Sequence, residues 1–129
     1  MSDSLVLVAE DDDELRRLMV DVLNRDGYHV IAVADGAELF EFMIDALCGS
    51  RAEPDVIVSD IRMPGFSGLD VLKHLRTADA HAPVVLITAF PTDETRRRAQ
   101  ELGAVALLDK PFDLEDLVHA VQNAGSFQS

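Results

Sequence analysis

Apolar residues gather along this chain in five short runs: "LVLVA" (5–9), "VIAVA" (30–34), "DVIVS" (55–59), "PVVLIT" (83–88) and "AVALL" (104–108). Each is near-continuous in Val, Ile, Leu and Ala rather than alternating with polar residues. Strands buried on both faces read this way, which predicts a parallel sheet. Between the runs the period becomes helical. Leu15, Leu18, Met19 and Val22 stand at i, i+3, i+4, i+7, as do Phe40, Met43, Ile44 and Leu47, and again Leu114, Leu117, Val118 and Val121. Leu69, Leu72 and Leu75 mark the third helix. The fourth, about 92–102, has only Thr95, Ala99 and Leu102 to turn inward, with "TRRRAQE" polar around the rest. A helix with so little to bury is expected to dock loosely and to move readily.

Strand then helix, five times over, predicts the α/β class: a doubly wound five-stranded parallel sheet with helices on both faces. "RDGY", "CGSRAEP", "MPGFSG" and "ELGA" supply the turns. No linker, repeat or low-complexity segment interrupts the pattern, so a single domain is expected over 1–129, with a core at about 5–122. The tail "NAGSFQS" is expected to fray.

Composition adds limits. A chain of 129 residues, 48% apolar and 27% charged, has the make-up of an ordinary globular domain. No apolar run approaches the roughly 20 residues that span a bilayer. The start "MSDSLVLVAEDD" has no basic segment or cleavage site, unlike a secretory signal. The lone Cys48 has no partner for a disulfide or a thiolate metal site, and the cytosol is the expected compartment. The net charge of −13 repels phosphate backbones, which argues against direct nucleic-acid binding and favours cations and basic surfaces. Among the 11 basic residues only Lys73 and Lys110 are lysines.

In a sheet of this kind ligands bind beyond the carboxyl ends of the strands. The residues delivered there are Glu10 and Asp11 after the first strand, Asp60 after the third, Thr88 after the fourth and Lys110 after the fifth. The second strand offers only Asp35, expected to cap a helix. Two carboxylates about 4 Å apart repel by roughly 4 kcal/mol at an effective dielectric of 20. Three together force a protonation or hold a cation. The donors are all oxygen, which selects Mg²⁺, or Mn²⁺, over zinc. A carboxylate in such a cluster can act as a nucleophile and form an acyl phosphate, with metal and lysine neutralising the moving charge. The neighbouring Asp12, Asp13 and Glu14 fit a helix N-cap and its positive dipole end.

"VAEDD", "VSDIRMPGFSG", "LITA" and "LLDKPF", in this order and spacing, resemble response-regulator receiver domains of two-component signalling, from Leu5 to about Val121. The resemblance implies a flavodoxin-like (βα)5 fold with strand order 2-1-3-4-5. It implies that Asp60 is the phosphoacceptor, that Asp11 and Asp60 ligate Mg²⁺ with Glu10 as acidic companion, and that the Arg62 carbonyl completes the protein's share of the shell. Thr88 corresponds to the switch hydroxyl and Lys110 to the phosphate-binding lysine, with a cis bond to Pro111. The implied partners are a sensor histidine kinase or phosphotransfer protein and a downstream effector or fused output domain. Neither nucleic acid nor membrane is implied; the domain is expected to be a monomer or weak homodimer in the bacterial cytoplasm. Phosphorylation is expected to alter a partner-binding face around the fourth helix, fifth strand and fifth helix.

Three positions depart from the family pattern. Leu107 stands where receivers commonly carry Tyr or Phe, which puts the usual aromatic readout in doubt. Arg62, two after Asp60, and Phe90, two after Thr88, occupy sites that shape water access to the acyl phosphate in this family. Their bulk implies a long-lived phosphoryl state.

Each residue also has a plainer reading. Alone, Asp60 starts a turn before "MPG", Glu10 and Asp11 cap a helix, Thr88 ends a strand and Lys110 lies on the surface. Arg96, Arg97 and Arg98 read as a solvated helix face before they read as a partner patch. His29, His74, His81 and His119 are scattered and read as structural or surface residues; Cys48 reads as a buried or helix-end thiol. Two other function classes compete with the phosphoacceptor. A pseudo-receiver would bind partners without phosphorylation, against the complete acceptor set. An aspartyl-nucleophile phosphatase would want a second acid where Arg62 stands.

Overall fold

A computed structural model of the chain describes residues 4–65, 67–78, 80 and 82–126. Strands and helices alternate as β1 (Leu5–Ala9), α1 (Asp13–Arg25), β2 (His29–Val33), α2 (Gly36–Leu47), β3 (Val56–Asp60), α3 (Gly68–Thr77), β4 (Val84–Thr88), α4 (Asp93–Glu101), β5 (Ala106–Asp109) and α5 (Leu114–Ser126). The strands form one sheet in the order β2-β1-β3-β4-β5, all neighbours parallel. This is the flavodoxin-like doubly wound fold. Helix starts follow local chemistry: Asp12, Asp35, Ser67 and Thr92 each accept a backbone N–H of the first turn.

Register fixes the functional edge. Ala9 lies opposite Ser59, Asp60 opposite Ile87 and Thr88 opposite Asp109. Glu10, Asp60, Thr88 and Lys110 therefore lie at or just beyond the same carboxyl edge. Alternation splits the core: Leu7, Ile57 and Leu86 face α2, α3 and α4, whereas Val8, Val58 and Val85 face α1 and α5.

The structure corrects several sequence-based expectations. Strand bounds shift by one or two residues, so Asp60 is the last residue of β3 rather than the first beyond it. Burial on both faces holds for β1, β3 and β4; β2 and β5 are sheet edges and only half-buried. In α1 Leu18 points outward, 46% exposed, and Leu23 is buried beside Met19 instead. In α2 the stripe is out of phase: Leu39, Phe42, Met43 and Ala46 are buried, while Ile44 and Leu47 are each 44% exposed. Both sets satisfy the helical period, because this helix is apolar on two adjoining faces and periodicity alone cannot choose. The tail does not fray at Asn123: α5 runs to Ser126, with Ala124 buried. His81, Phe66 and residues 1–3 and 127–129 lie outside the described residues. Cys48 is the exposed C-cap of α2.

Candidate functional site

The strand register brings three carboxylates and one ammonium group together. Glu10, Asp11 and Asp60 each offer an oxygen within 4.8 Å of the other two. Glu10 is fully buried and Asp60 nearly so, whereas Asp11 is exposed at the mouth. Lys110 reaches in from the end of β5 and donates to Asp60 Oδ2 at 2.6 Å. The same Nζ lies 3.2 Å from Glu10 Oε1 as an ion pair and donates to Oε2 at 3.4 Å. Asp60 Oδ1 accepts the Arg62 N–H at 3.1 Å, so the turn after β3 folds back onto that carboxylate. The Lys110–Pro111 peptide is cis.

The electrostatics follow from burial. Desolvation pushes the Glu10 carboxyl up to about 7; the Asp12 N–H opposes it, the charge of Asp60 adds to it and Lys110 again opposes. Burial alone would lower the Lys110 pKa, but the hydrogen bond and charge of Asp60, then those of Glu10, outweigh it and raise it. Three carboxylates facing a single ammonium leave the cluster acidic. Glu10 Oε1 is buried without a hydrogen-bond partner. A buried oxygen that has the Lys110 charge beside it but no hydrogen bond, among three carboxylates, fits a hard divalent cation, which takes oxygen ligands and retains several waters.

Thr88 is buried at the end of β4, and its hydroxyl accepts the Phe90 N–H at 3.0 Å. The Lys110 N–H donates to the Thr88 carbonyl at 2.7 Å. The Arg62 guanidinium stacks over the Phe90 ring, 4.8 Å from its centroid. That pair closes one side of a hollow of about 290 Å³ that Thr88, Thr92 and Thr95 also line. Leu107, half-buried in β5, borders a separate hollow of about 200 Å³ with Arg96, Ala99 and Gln100. Arg96 pairs with Asp109 at 2.7 Å, while Arg97 and Arg98 are exposed.

Two residues beside the cluster escaped the sequence reading. Arg16 donates to the Glu10 carbonyl at 2.9 Å and to Asp13 Oδ1 at 2.6 Å. Nothing in an arginine on the first turn of an acidic helix marks it as reaching back to the strand. Gly68 starts α3 against the backbone of β3; a Cβ there would lie 2.7 Å from the Asp60 carbonyl and 3.1 Å from Ser59 Oγ. Its signal was available in "MPGFSG", where the second glycine follows a capping serine.

Comparison with known proteins gives a concordant result. The family model for the response regulator receiver domain matches residues 6–122. Sporulation initiation phosphotransferase F of Bacillus subtilis (strain 168) is 27% identical over 122 residues, which are 95% of this chain and 94% of that protein. Regulatory protein AtoC of Escherichia coli (strain K12) is 33% identical over 124 residues, which are 96% of this chain but 26% of AtoC. The chain likewise spans 24% or 25% of several relatives named DNA-binding transcriptional regulator NtrC. Among solved structures, the Francisella response regulator 1452 receiver domain aligns with TM-score 0.87 and 28% identity, covering 98% of this chain and 100% of that one. No helix among the described residues is long and apolar enough to cross a membrane.

Proposed function

The chain belongs to the response regulator receiver domain family, and from that membership and the acid–lysine cluster we propose that it is a phosphoacceptor switch in which Asp60 receives the phosphoryl group. The observation that carries this reading is the 2.6 Å contact between Lys110 Nζ and Asp60 Oδ2 beside two further carboxylates. It is an arrangement suited to charge moving onto Asp60.

Asp11 and Asp60 would hold Mg²⁺ or Mn²⁺, with Glu10 as their companion and the Arg62 carbonyl as a further oxygen. Once bound, the metal supplies positive charge to the oxygens of the transferring group. The donor is a phosphohistidine of a sensor kinase or phosphotransfer protein. Its N–P bond breaks as a carboxylate oxygen of Asp60 forms the new O–P bond, and the imidazole leaves with its electron pair. The protein contributes positioning and fixed charge. Lys110 exchanges part of its contact with Asp60 for a phosphoryl oxygen. Thr88 gives up the Phe90 N–H and turns its hydroxyl to the same group. The added charge of roughly −1.5 to −2 then favours the conformation in which both contacts are made. The α4–β5–α5 face, with Leu107 in place of an aromatic, carries the change to an effector or fused output domain. This is a cytoplasmic role in which the chain catalyses only its own phosphorylation and dephosphorylation.

Intact mass after acetyl phosphate and Mg²⁺, repeated with EDTA and with Asp60→Asn, tests the assignment. One added phosphoryl group that requires both metal and Asp60 is the expected result. No adduct from a protein that binds Mg²⁺, together with no binding of beryllofluoride, would overturn it in favour of a phosphorylation-independent interaction module.

A further inference from the structure

Glu10 is the one fully buried charged side chain among the described residues, yet it sits on a turn that must hold three consecutive further acids, Asp11 to Asp13. Repulsion within "EDDD" opens such a turn unless something ties it. Its main-chain N–H is fixed by the Val33 carbonyl of β2 at 3.2 Å. Its carbonyl lies just past the end of β1 and accepts an N–H of the Arg16 guanidinium at 2.9 Å. The other arm of that guanidinium grips Asp13 Oδ1 at 2.6 Å. One side chain, only 22% exposed, thus bridges the end of the strand and the start of α1 across the two residues that present Asp11 to the cluster.

We infer that Arg16 is a positioning residue for the cation site: it holds the Glu10–Asp11 turn so that the carboxylates meet a divalent cation in fixed geometry. The inference rests on the phosphoacceptor reading above. Mg²⁺ demands near-ideal octahedral geometry, so small displacements of its carboxylates are felt. Partners that orient ligands without touching the metal commonly change its affinity 10–100-fold when removed. The planar fork of arginine reaches two acceptors at once, which the single ammonium of lysine does not.

Charge alone predicts the opposite sign. Deleting a cation beside the site would tighten Mg²⁺ by removing repulsion, so the direction of the change separates positioning from simple electrostatics. Mg²⁺ titration by calorimetry, at fixed salt and pH, is the measurement, made on wild type, Arg16→Ala, Arg16→Lys and Asp13→Ala. The expected result is about tenfold weaker binding in Arg16→Ala and an intermediate loss in Arg16→Lys, which keeps the charge but not the fork. Asp13→Ala cuts one arm of the bridge but keeps the bond to the Glu10 carbonyl, so it should lose clearly less affinity than Arg16→Ala. Unchanged or tighter binding in Arg16→Ala overturns the inference, as does an equal loss in Asp13→Ala, which would make the effect one of helix-start integrity. If Arg16→Ala does not fold, Arg16→Lys decides alone, and wild-type affinity in it overturns the inference. A wild-type protein that binds no Mg²⁺ would instead remove the phosphoacceptor reading itself.

Discussion

Helix α1 is attached to the sheet by Met19 and Leu23, both fully buried, with Leu117 and Val121 of α5 in the same cluster. Helix α4, on the opposite face, buries Ala99 alone. Two arginines do the rest. Arg76 of α3 donates to the carbonyls of Leu102 and Gly103 just past the end of α4, at 3.2 and 3.4 Å, and Arg96 pairs with Asp109 of β5. Apolar contact gains from every atom buried and loses steeply when the pair slides. A charged pair at the surface is worth little and re-forms in several geometries. The acid cluster lies between these regimes. Glu10 and Asp11 lead into the firmly packed α1, whereas Thr88 leads into α4. On the proposed reading that contrast is useful, because metal ligands need a fixed frame and a switch residue needs somewhere to go.

The largest expected effect is a difference in stability between the two sides. Leu117→Ala removes a fully buried side chain from the α1–α5 cluster and should cost about 2–5 kcal/mol. Leu102→Ala, at the half-buried end of α4, should cost about 1 kcal/mol. Urea unfolding of both variants gives the numbers, and similar losses would mean that α4 is packed as firmly as α1.

The second prediction concerns the firm side and its trapped carboxyl. Glu10 has a folded pKa of about 7 against an ordinary 4.5. The folded chain therefore holds a proton that the unfolded chain has released. The resulting stabilisation is fully present below pH 4.5 and is lost as the pH rises through about 7. A cation competes for the same carboxylate, so Mg²⁺ should raise the melting temperature more at pH 8 than at pH 6. Glu10→Gln should flatten both dependences relative to wild type. An unchanged difference between wild type and Glu10→Gln across this range would show that Glu10 is ionised throughout.

How much of this was legible in the sequence follows the same divide. The fold class was legible in the five apolar runs and the acid–lysine set in the strand ends, while the strand order came only with the resemblance that "VSDIRMPG" and "LLDKPF" carried. The thin anchoring of α4 was also readable: it had only Thr95, Ala99 and Leu102 to turn inward, and within the helix Ala99 alone is buried. The phase of α2 was not, since Leu39–Phe42–Met43–Ala46 and Phe40–Met43–Ile44–Leu47 obey one period and only the sheet decides between them. Nor were the arginine ties. Arg16 and Arg76 act on backbone carbonyls, which every residue has, so no second residue type marks the contact in advance.

On the loose side the third prediction is kinetic. Arg62 stacked on Phe90 lines the hollow beside Thr88, and in a phosphorylated chain the pair should slow the entry of water. The double variant Arg62→Asn, Phe90→Ala should lose its phosphoryl group several-fold faster, a change on the order of 1 kcal/mol in barrier. Equal rates of autodephosphorylation would remove these two side chains from the account.

The smallest expected effect is the sharpest test of the comparison. In the Arg96–Asp109 pair both side chains are more than 40% exposed, at 47% and 42%. Water screens such a pair, and Arg96→Ala should lower global stability by no more than about 0.5 kcal/mol. Asp109 Oδ1 is already buried without a hydrogen-bond partner, so the carboxylate can turn to solvent when Arg96 is gone. Locally the same change should be visible. With one of its few ties to β5 cut, α4 opens more often without global unfolding, and amide exchange over Asp93–Glu101 should quicken about twofold. Exchange in α1 should not move, because Met19 and Leu23 open only with the whole domain. Hydrogen exchange of both helices in wild type and Arg96→Ala is therefore read as a ratio. If the two helices respond alike, they belong to one cooperative unit, and the division between a fixed frame and a movable edge is lost.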